Sequence, residues 1–254
     1  HGMLSVTGSP PWRTVTGGSR SYVERLTASY RDRIKLGIGA KRVRRRGNQV
    51  GVWDAAGRVQ WFDHVVIATH ADEALAMLED PSAAERALLG AFRYSKNTAI
   101  LHSDTSLMPK RRAVWSSWNY IGPTSPGKAA HGCTVTYWMN RLQNISQKTP
   151  LFVTLNPQRM PDPRTIIAAQ VYEHPLFDAA AMRSQQQLWS LQGERNTWFC
   201  GAYFGAGFHE DGLQAGLAVS EAVGGVRRPW TVANESGRIY AGQTPPVPAE
   251  RSAA

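Results

Sequence analysis

The residues with the most chemical potential lie between Trp198 and Val223, where a short apolar run, a glycine-rich loop and a helical pattern follow one another. Trp198 to Cys200 reads as a strand, Gly201, Gly205 and Gly207 punctuate the loop, and a helix is expected to begin near Gly212. Glycines remove Cβ atoms from a contact surface. The first amides of a helix lack internal partners and carry the positive end of its dipole. Together they let a planar, anionic group approach bare backbone, either through a phosphate or through the electron-rich edge of a reduced ring.

Phe199-Cys-Gly-Ala-Tyr203 and Gly207-Phe-His-Glu-Asp-Gly212 resemble the carboxyl-terminal flavin-binding segment of FAD-dependent amine-oxidase-like oxidoreductases. That superfamily includes amine oxidases, protoporphyrinogen oxidase and phytoene desaturases. The closer resemblance is to bacterial flavoproteins described as predicted NAD/FAD-binding oxidoreductases. Two further segments agree. Trp12-Arg-Thr-Val-Thr-Gly-Gly-Ser-Arg-Ser-Tyr-Val23 is similar to the family's Gly-Gly helix start, and Phe62-Asp-His-Val-Val-Ile-Ala-Thr-His70 to its strand ending in Ala-Thr. The likeness spans most of residues 3–230.

The resemblance implies a mixed α/β (α+β) fold. A partial glutathione-reductase-like FAD-binding domain, residues 1–93 and 191–228, would carry an inserted antiparallel or mixed-sheet substrate domain at 94–190. Residues 229–254, rich in Pro, Ala and Gly, read as a disordered tail. The family also carries an amino-terminal strand, Gly-x-Gly-x-x-Gly and helix that hold the FAD pyrophosphate. In this sequence the nearest string, Gly37-Ile-Gly39-Ala-Lys-Arg42, has arginine at the third glycine position and leads into a strand-like run. The expectation is a piece of a longer protein whose dinucleotide-binding unit lies upstream.

The resemblance assigns cofactor contacts residue by residue. The amides of Glu210, Asp211, Gly212 and Leu213 would face the pyrimidine end of the ring, where reduction deposits charge. Gly201 and Ala202 would pass the ribityl chain and pyrophosphate. The competing reading is an ordinary helix start capped by Asp211. The wider family places an acidic residue just after the glycine at 201; here Ala202 and Tyr203 stand there. Glu210 and Asp211 do not read as paired catalytic carboxylates, because adjacent residues at a helix start point in different directions. His209 is the catalytic candidate. It is either a hydrogen-bond donor or base beside the ring, or a structural histidine.

Arg13, Gly17, Gly18 and Ser19 either edge the flavin and its substrate or form the tight turn before a helix. Ala40 corresponds loosely to the position whose backbone meets adenine. Thr69 and His70 end a strand on the cofactor side, Thr69 through its backbone. Trp115, Trp118, Tyr120, Tyr137, Trp138 and Tyr172 divide between sheet core and the wall of an apolar substrate pocket, with Trp115, Trp118, Tyr137 and Tyr172 placed on the pocket. Cys200 reads as buried packing. The seven histidines show no metal-ligand spacing.

These residues need elements to position them. Residues 18–31 show a helical stripe of Tyr22, Val23, Leu26 and Tyr30, with Ser21 and Glu24 at capping-box spacing and Ser19 as the alternative cap. Short β-like runs follow at 34–37, 41–45, 49–54, 58–62 and 64–69, then two helices at 71–79 and 82–90 broken by Pro81. Residues 92–104, 113–120, 132–139, 151–154 and 166–173 are β-rich, and 178–191 read as a helix.

In the 254 residues, an apolar fraction of 42% suffices for a core, and no run reaches the length of a membrane span. No signal peptide is visible and two cysteines make no disulfide framework, so the default location is cytoplasmic. The net charge of +10 and the run Lys41-Arg-Val-Arg-Arg-Arg46 fit either a solvated face or an anionic partner such as a peripheral membrane surface. A nucleic-acid-binding module is the competing function, but no zinc-finger spacing or stacking motif supports it. A non-catalytic remnant is a third. The leading expectation is an FAD-dependent oxidoreductase that moves hydride from an apolar substrate, an acyl chain or an amine, to flavin N5.

Overall fold

The computed structural model describes residues 13–121 and 134–242. In chain order the elements are α1 (Ser19–Thr27), β1 (Ala40–Arg46), β2 (Gln49–Asp54), β3 (Val59–Phe62), β4 (Val65–Ile67), α2 (Ala71–Met77), α3 (Ala83–Leu89) and β5 (Arg93–His102). They continue with β6 (Trp118–Ile121), β7 (Thr134–Trp138), α4 (Met139–Leu142), β8 (Phe152–Leu155), β9 (Ile166–Leu176), α5 (Ala179–Gln185), β10 (Thr197–Phe199) and α6 (His209–Gly224). The fold is mixed α/β. Two compact units form: one from the described residues of 1–34 and 96–173, the other from those of 35–95 and 174–254. The expected division, 1–93 with 191–228 against 94–190, differs from this twice: the described residues of 1–34 go with 96–173, and 174–190 go with the second unit. The α5 helix belongs with α3, where Ser184 Oγ donates to Leu88 O at 2.6 Å.

In the second unit β1, β2 and β3 make an antiparallel meander. Gly47, at φ 58°, turns the first hairpin. The Asp54 carboxylate shapes the second by accepting the amides of Ala56 and Arg58 at 2.8 and 3.0 Å. The run at 34–37 is not a strand: Gly37, at φ 71°, makes a turn, and pairing starts at Ala40. Alternation on β1 sends Val43 and Arg45 inward, so the basic run is not one exposed face. Arg44 pairs with Glu79, and the Arg42 guanidinium lies 4.3 Å from the Trp53 ring centre. Pro81 separates α2 from α3, and Ser82 and Glu85 close a capping box across the start of α3. The core joins Val43, Val50, Ile67, Leu89, Phe199 and Val219.

That core also takes in Ile239, which is 4% exposed. Residues 229–242 therefore do not behave as the disordered tail expected of their composition: they run as turns held by this apolar anchor. Residues 243–254 and Cys133 lie outside the described residues.

In the first unit the sheet order is β6-β7-β8-β5-β9, with antiparallel pairing at β6–β7, β7–β8 and β8–β5. Register places Trp118, Tyr120, Val135, Tyr137, Val153 and Leu101 on one face. The opposite face is buried and carries a polar line. Thr136 Oγ1 lies 2.9 Å from Thr154 Oγ1, which lies 2.8 Å from His102 Nε2. The Asp104 amide donates to His102 Nδ1 at 3.1 Å, so Nδ1 is unprotonated and Nε2 carries the hydrogen. Helix α1 ends at Thr27 and gives way to a 3-10 stretch kinked at Tyr30. Its N-cap position is Gly18, Ser19 is the first helical residue, and Ser21 sits inside the helix with Oγ donating to Gly18 O at 2.8 Å, so neither serine caps the helix.

Candidate functional site

The site is built on a parallel strand pair. Thr197, Trp198 and Phe199 of β10 lie beside Val65, Val66 and Ile67 of β4. Both strands end at the same edge, which delivers Thr69 and Gly201 next to each other. The Cys200 amide extends the ladder to Ile67 O at 3.1 Å. The carboxyl edge of parallel strands is where open α/β sheets receive ligands. Gly201 has φ 155°, and a Cβ there would lie 2.8 Å from the Tyr203 ring and 3.5 Å from Thr69 O. Only glycine lets the chain turn here. Ala202–Phe204 then make a 3-10 turn, and Ala202 O accepts the amides of both Gly205 and Gly207 at 3.1 Å. Buried Gln185 fixes the turn from below by donating to the carbonyls of Tyr203 and Gly205.

Helix α6 starts at His209, earlier than the expected Gly212, with Phe208 as N-cap. Phe208 O accepts the amides of Asp211 and Gly212 at 3.1 and 3.2 Å. The amides of His209 and Glu210 have no partner among the described residues. The bare donors are thus at 209 and 210. Of the four amides expected at 210–213, those of Asp211 and Gly212 are used within the turn, and Leu213 sits one turn into the helix with its side chain exposed. Gly212 has a packing role: a Cβ there would lie 3.7 Å from Ala202 N, so α6 rests on the backbone of the preceding turn.

Asp211 is fully buried. Its Oδ2 accepts the Phe208 amide at 2.7 Å, and its Oδ1 accepts Arg238 Nε at 2.7 Å. Asp211 is the third residue of the helix, not its cap. Glu210 points into solvent, where Oε1 accepts Gln214 Nε2 at 2.9 Å. The two carboxylates therefore diverge. His209 is exposed at the helix start. Arg238 and Gln214, which the sequence reading left out, complete this end of the helix; the isolated apolar pair Ile239-Tyr240 in the tail was the available signal.

Beyond β4, Thr69 Oγ1 donates to His70 O at 3.1 Å, and the His70 ring stacks on Tyr94 with centroids 4.2 Å apart. Burial pushes the Tyr94 hydroxyl up to about 12, and that hydroxyl accepts the Ala71 amide at 2.9 Å. Tyr203 is driven higher still by burial, and Cys200 is raised by burial as well, which leaves its thiol protonated and inert. Tyr203 Oη and His70 Nδ1 are buried without a partner among the described residues. No group of three His, Cys, Asp or Glu side chains placed to hold a metal occurs among the described residues. Ala40 is exposed and opens β1 opposite Asp54, in the meander.

The other predicted residues belong to the first unit. Arg13 is exposed. Gly17 and Gly18, at φ 84° and 79°, turn the chain into α1 and line a 580 Å³ depression with Thr14, Gln143 and Ile145. Trp115 packs in the core of the first unit. It is 9% exposed, donates from Nε1 to Pro109 O at 2.7 Å, and packs edge-on against Trp138 and Phe152. Trp118 and Tyr137 are cross-strand neighbours on the half-open face. Tyr172 lies on β9, at the opposite edge of the sheet from Trp118. Four strand spacings, roughly 19 Å, keep those two apart.

The fold has known counterparts. A putative protoporphyrinogen oxidase from Exiguobacterium sp. 255-15 is similar with a TM-score of 0.59 and 11% identity, over 83% of this chain and 51% of that one. Cyclohexylamine oxidase from Brevibacterium oxydans IH-35A gives 0.54 and 12%, over 81% and 53%. The CLA-producing fatty acid isomerase from P. acnes gives 0.54 and 15%, over 77% and 49%. The chain thus spans about half the length of these structures. Comparison with curated protein sequences finds no match. The sequence model for flavin containing amine oxidoreductases matches residues 3–146, more than half of the sequence, and the chain belongs to that family.

Proposed function

We propose that this chain supplies the ring-facing part of an FAD-dependent oxidoreductase acting on an apolar substrate, an acyl chain or an amine. One observation carries the reading: the carboxyl ends of β4 and β10 meet the open first turn of α6, so Thr69, Gly201 and the free amides of His209 and Glu210 belong to one edge. The residues present suit a flavin. Two unpartnered N–H groups at a helix start favour the electron-rich edge of a reduced ring. Gly201 offers backbone with no side chain in the way. When bound, the flavin accepts hydride at N5.

The rest falls to the chain's own groups. The backbone amides of His209 and Glu210 would hold the edge of a bound flavin ring, and Gly201 and Ala202 would leave room for its ribityl chain. The His209 imidazole, exposed at the same turn, donates a hydrogen bond or takes a proton from substrate. The half-open aromatic face of the first unit, with Trp118 42% and Tyr120 65% exposed, supports an apolar substrate.

Adding FAD or riboflavin to isotopically labelled protein tests the reading. The amide resonances of Gly201, His209 and Glu210 are expected to shift together, while those of the β1–β3 meander stay in place. If saturating flavin leaves these three resonances unmoved, the assignment fails.

A further inference from the structure

We propose that Arg238 is the counter-ion that neutralises the buried Asp211 carboxylate in the first turn of α6, so that this charge does not cancel the dipoles with which the amides of His209 and Glu210 meet an anionic group. This deepens the flavin reading and rests on it for the ligand. The segment after α6 turns at Gly225, where φ is 67°, and returns along the helix that it has just left. Near the far end Arg227 and Arg228 both pair with Glu221 and Glu235. Further on, the Arg238 amide donates to Gln214 Oε1 at 3.1 Å and its guanidinium reaches Asp211 at 2.7 Å. Ile239 then enters the core. The segment thus touches α6 at residues 221, 214 and 211 in turn, about 15 Å of helix at 1.5 Å per residue.

Charge explains why the contact ends at Asp211. A helix start carries about half a positive charge. A bare carboxylate buried in the first turn would more than offset it, and would repel negative charge accumulating on a reduced ring. Asp211 is 0% exposed and has no solvent to screen it. It stays because its oxygens satisfy the Phe208 amide and position the N-cap. Arg238 removes the electrostatic penalty while leaving that hydrogen bond in place. It is a positioning residue: it acts on the ligand through Asp211 and the helix start.

A simple strap would anchor the tail equally well with its charge removed, and this separates the two roles. The experiment compares Arg238→Gln, Arg238→Lys, Asp211→Asn and the double variant Asp211→Asn/Arg238→Gln in the full chain. Urea-unfolding midpoints and FAD affinity from flavin fluorescence are the measurements. Arg238→Gln should weaken FAD binding about tenfold, within the range of helix-terminus charge effects, and lower the midpoint. Arg238→Lys should keep most of both. In the double variant, where no charge needs balancing, affinity should return to within about threefold of the parent and the midpoint should rise above that of Arg238→Gln. On flavin-loaded protein, Arg238→Gln should lower the two-electron potential by about 30 mV for each tenfold bias against the reduced ring. A double variant whose midpoint is no higher than that of Arg238→Gln overturns the proposal and leaves Arg238 as an anchor. If the parent chain takes up no flavin, the functional reading fails, and the unfolding comparison still decides the counter-ion role.

Discussion

Arg45 and Glu85 form an ion pair with both side chains 2% exposed, Nη1 to Oε1 at 2.5 Å, linking the meander to α3. The same carboxylate accepts the Ser82 amide at 2.7 Å, while Asp80 accepts Arg45 Nε at 3.0 Å. Burial, the largest single influence, would raise the Glu85 carboxyl, but the Arg45 hydrogen bonds, the Ser82 amide and the charges of Arg45 and Arg195 together outweigh it and hold the group below its ordinary 4.5. With the folded value depressed, this stabilisation is present above about pH 4.5 and is lost as pH falls through the folded value. Arg45→Met leaves the buried Glu85 carboxylate with only the Ser82 amide at 2.7 Å and the Arg195 guanidinium at 3.4 Å, and should cost up to about 3–5 kcal/mol at neutral pH. Adding Glu85→Leu should recover part of that loss. Chemical denaturation of the two variants checks both, and a cost under about 1 kcal/mol would show that the pair is not holding the unit together.

His102 gives the first unit an acid sensitivity of its own. Burial lowers its pKa from the ordinary 6.5, although the Asp104 charge works in the opposite direction. Its Nδ1 already accepts the Asp104 amide, so the folded site holds a neutral ring. The unfolded chain protonates first as pH falls, so stability is full above about 6.5 and declines below it toward the folded value. Unfolding followed by tryptophan fluorescence, with Trp115 in the adjacent core, should show a falling midpoint from pH 7.5 to 5.5. The slope should flatten in His102→Gln. An equal slope in both proteins would exclude His102 as its source.

How much could be read in advance depends on how local the cause is. The break at Pro81 and the Ser82–Glu85 box set the α2–α3 boundary, and both signals lie within five residues of it. The glycine spacing from Gly201 to Gly207 marked the turn into α6 for the same reason, although the first helical residue is His209, because Phe208 can serve as N-cap once Asp211 accepts its amide. The Arg238–Asp211 contact joins residues 27 apart through a segment of polar, turn-forming composition, and no periodicity announces it. Trp115 and Trp118 posed a different difficulty. Both suit a sheet, and alternation says that faces differ without saying which face the rest of the unit covers.

That distinction between the tryptophans has a measurable consequence. Trp115 is enclosed by Met108, Phe152 and Trp138, so Trp115→Ala should cost about 3–5 kcal/mol through the cavity it leaves. Tyr172 is 53% exposed on β9, and Tyr172→Ala should change stability by less than about 0.5 kcal/mol. Thermal unfolding of the two proteins should separate them clearly. Equal losses would mean that Tyr172 is packed and that Trp115 is not the centre of its cluster.

Gly205 and Gly212 belong to the same glycine-rich segment, yet alanine should affect them oppositely. At Gly205 a Cβ would lie 2.5 Å from Asp211 Oδ1 and 2.8 Å from Asp211 Cβ. Asp211 cannot yield, because it is buried and tied to both Phe208 and Arg238. Gly205→Ala must therefore push the start of α6 away from the turn, at a cost of about 1–3 kcal/mol. At Gly212 a Cβ meets Ala202 N at 3.7 Å, an ordinary contact, and the residue has helical geometry. Gly212→Ala removes backbone freedom from the unfolded chain and should be neutral or stabilising by up to about 1 kcal/mol. Gly212→Val differs again: its extra methyl groups press on the Ala202 backbone, so any loss of ligand would come with displacement of the helix. Denaturant midpoints and hydrogen-exchange rates of the α6 amides distinguish the three. Faster exchange in Gly205→Ala with none in Gly212→Ala is expected, and the reverse order would mean that the helix does not rest on the 201–205 turn.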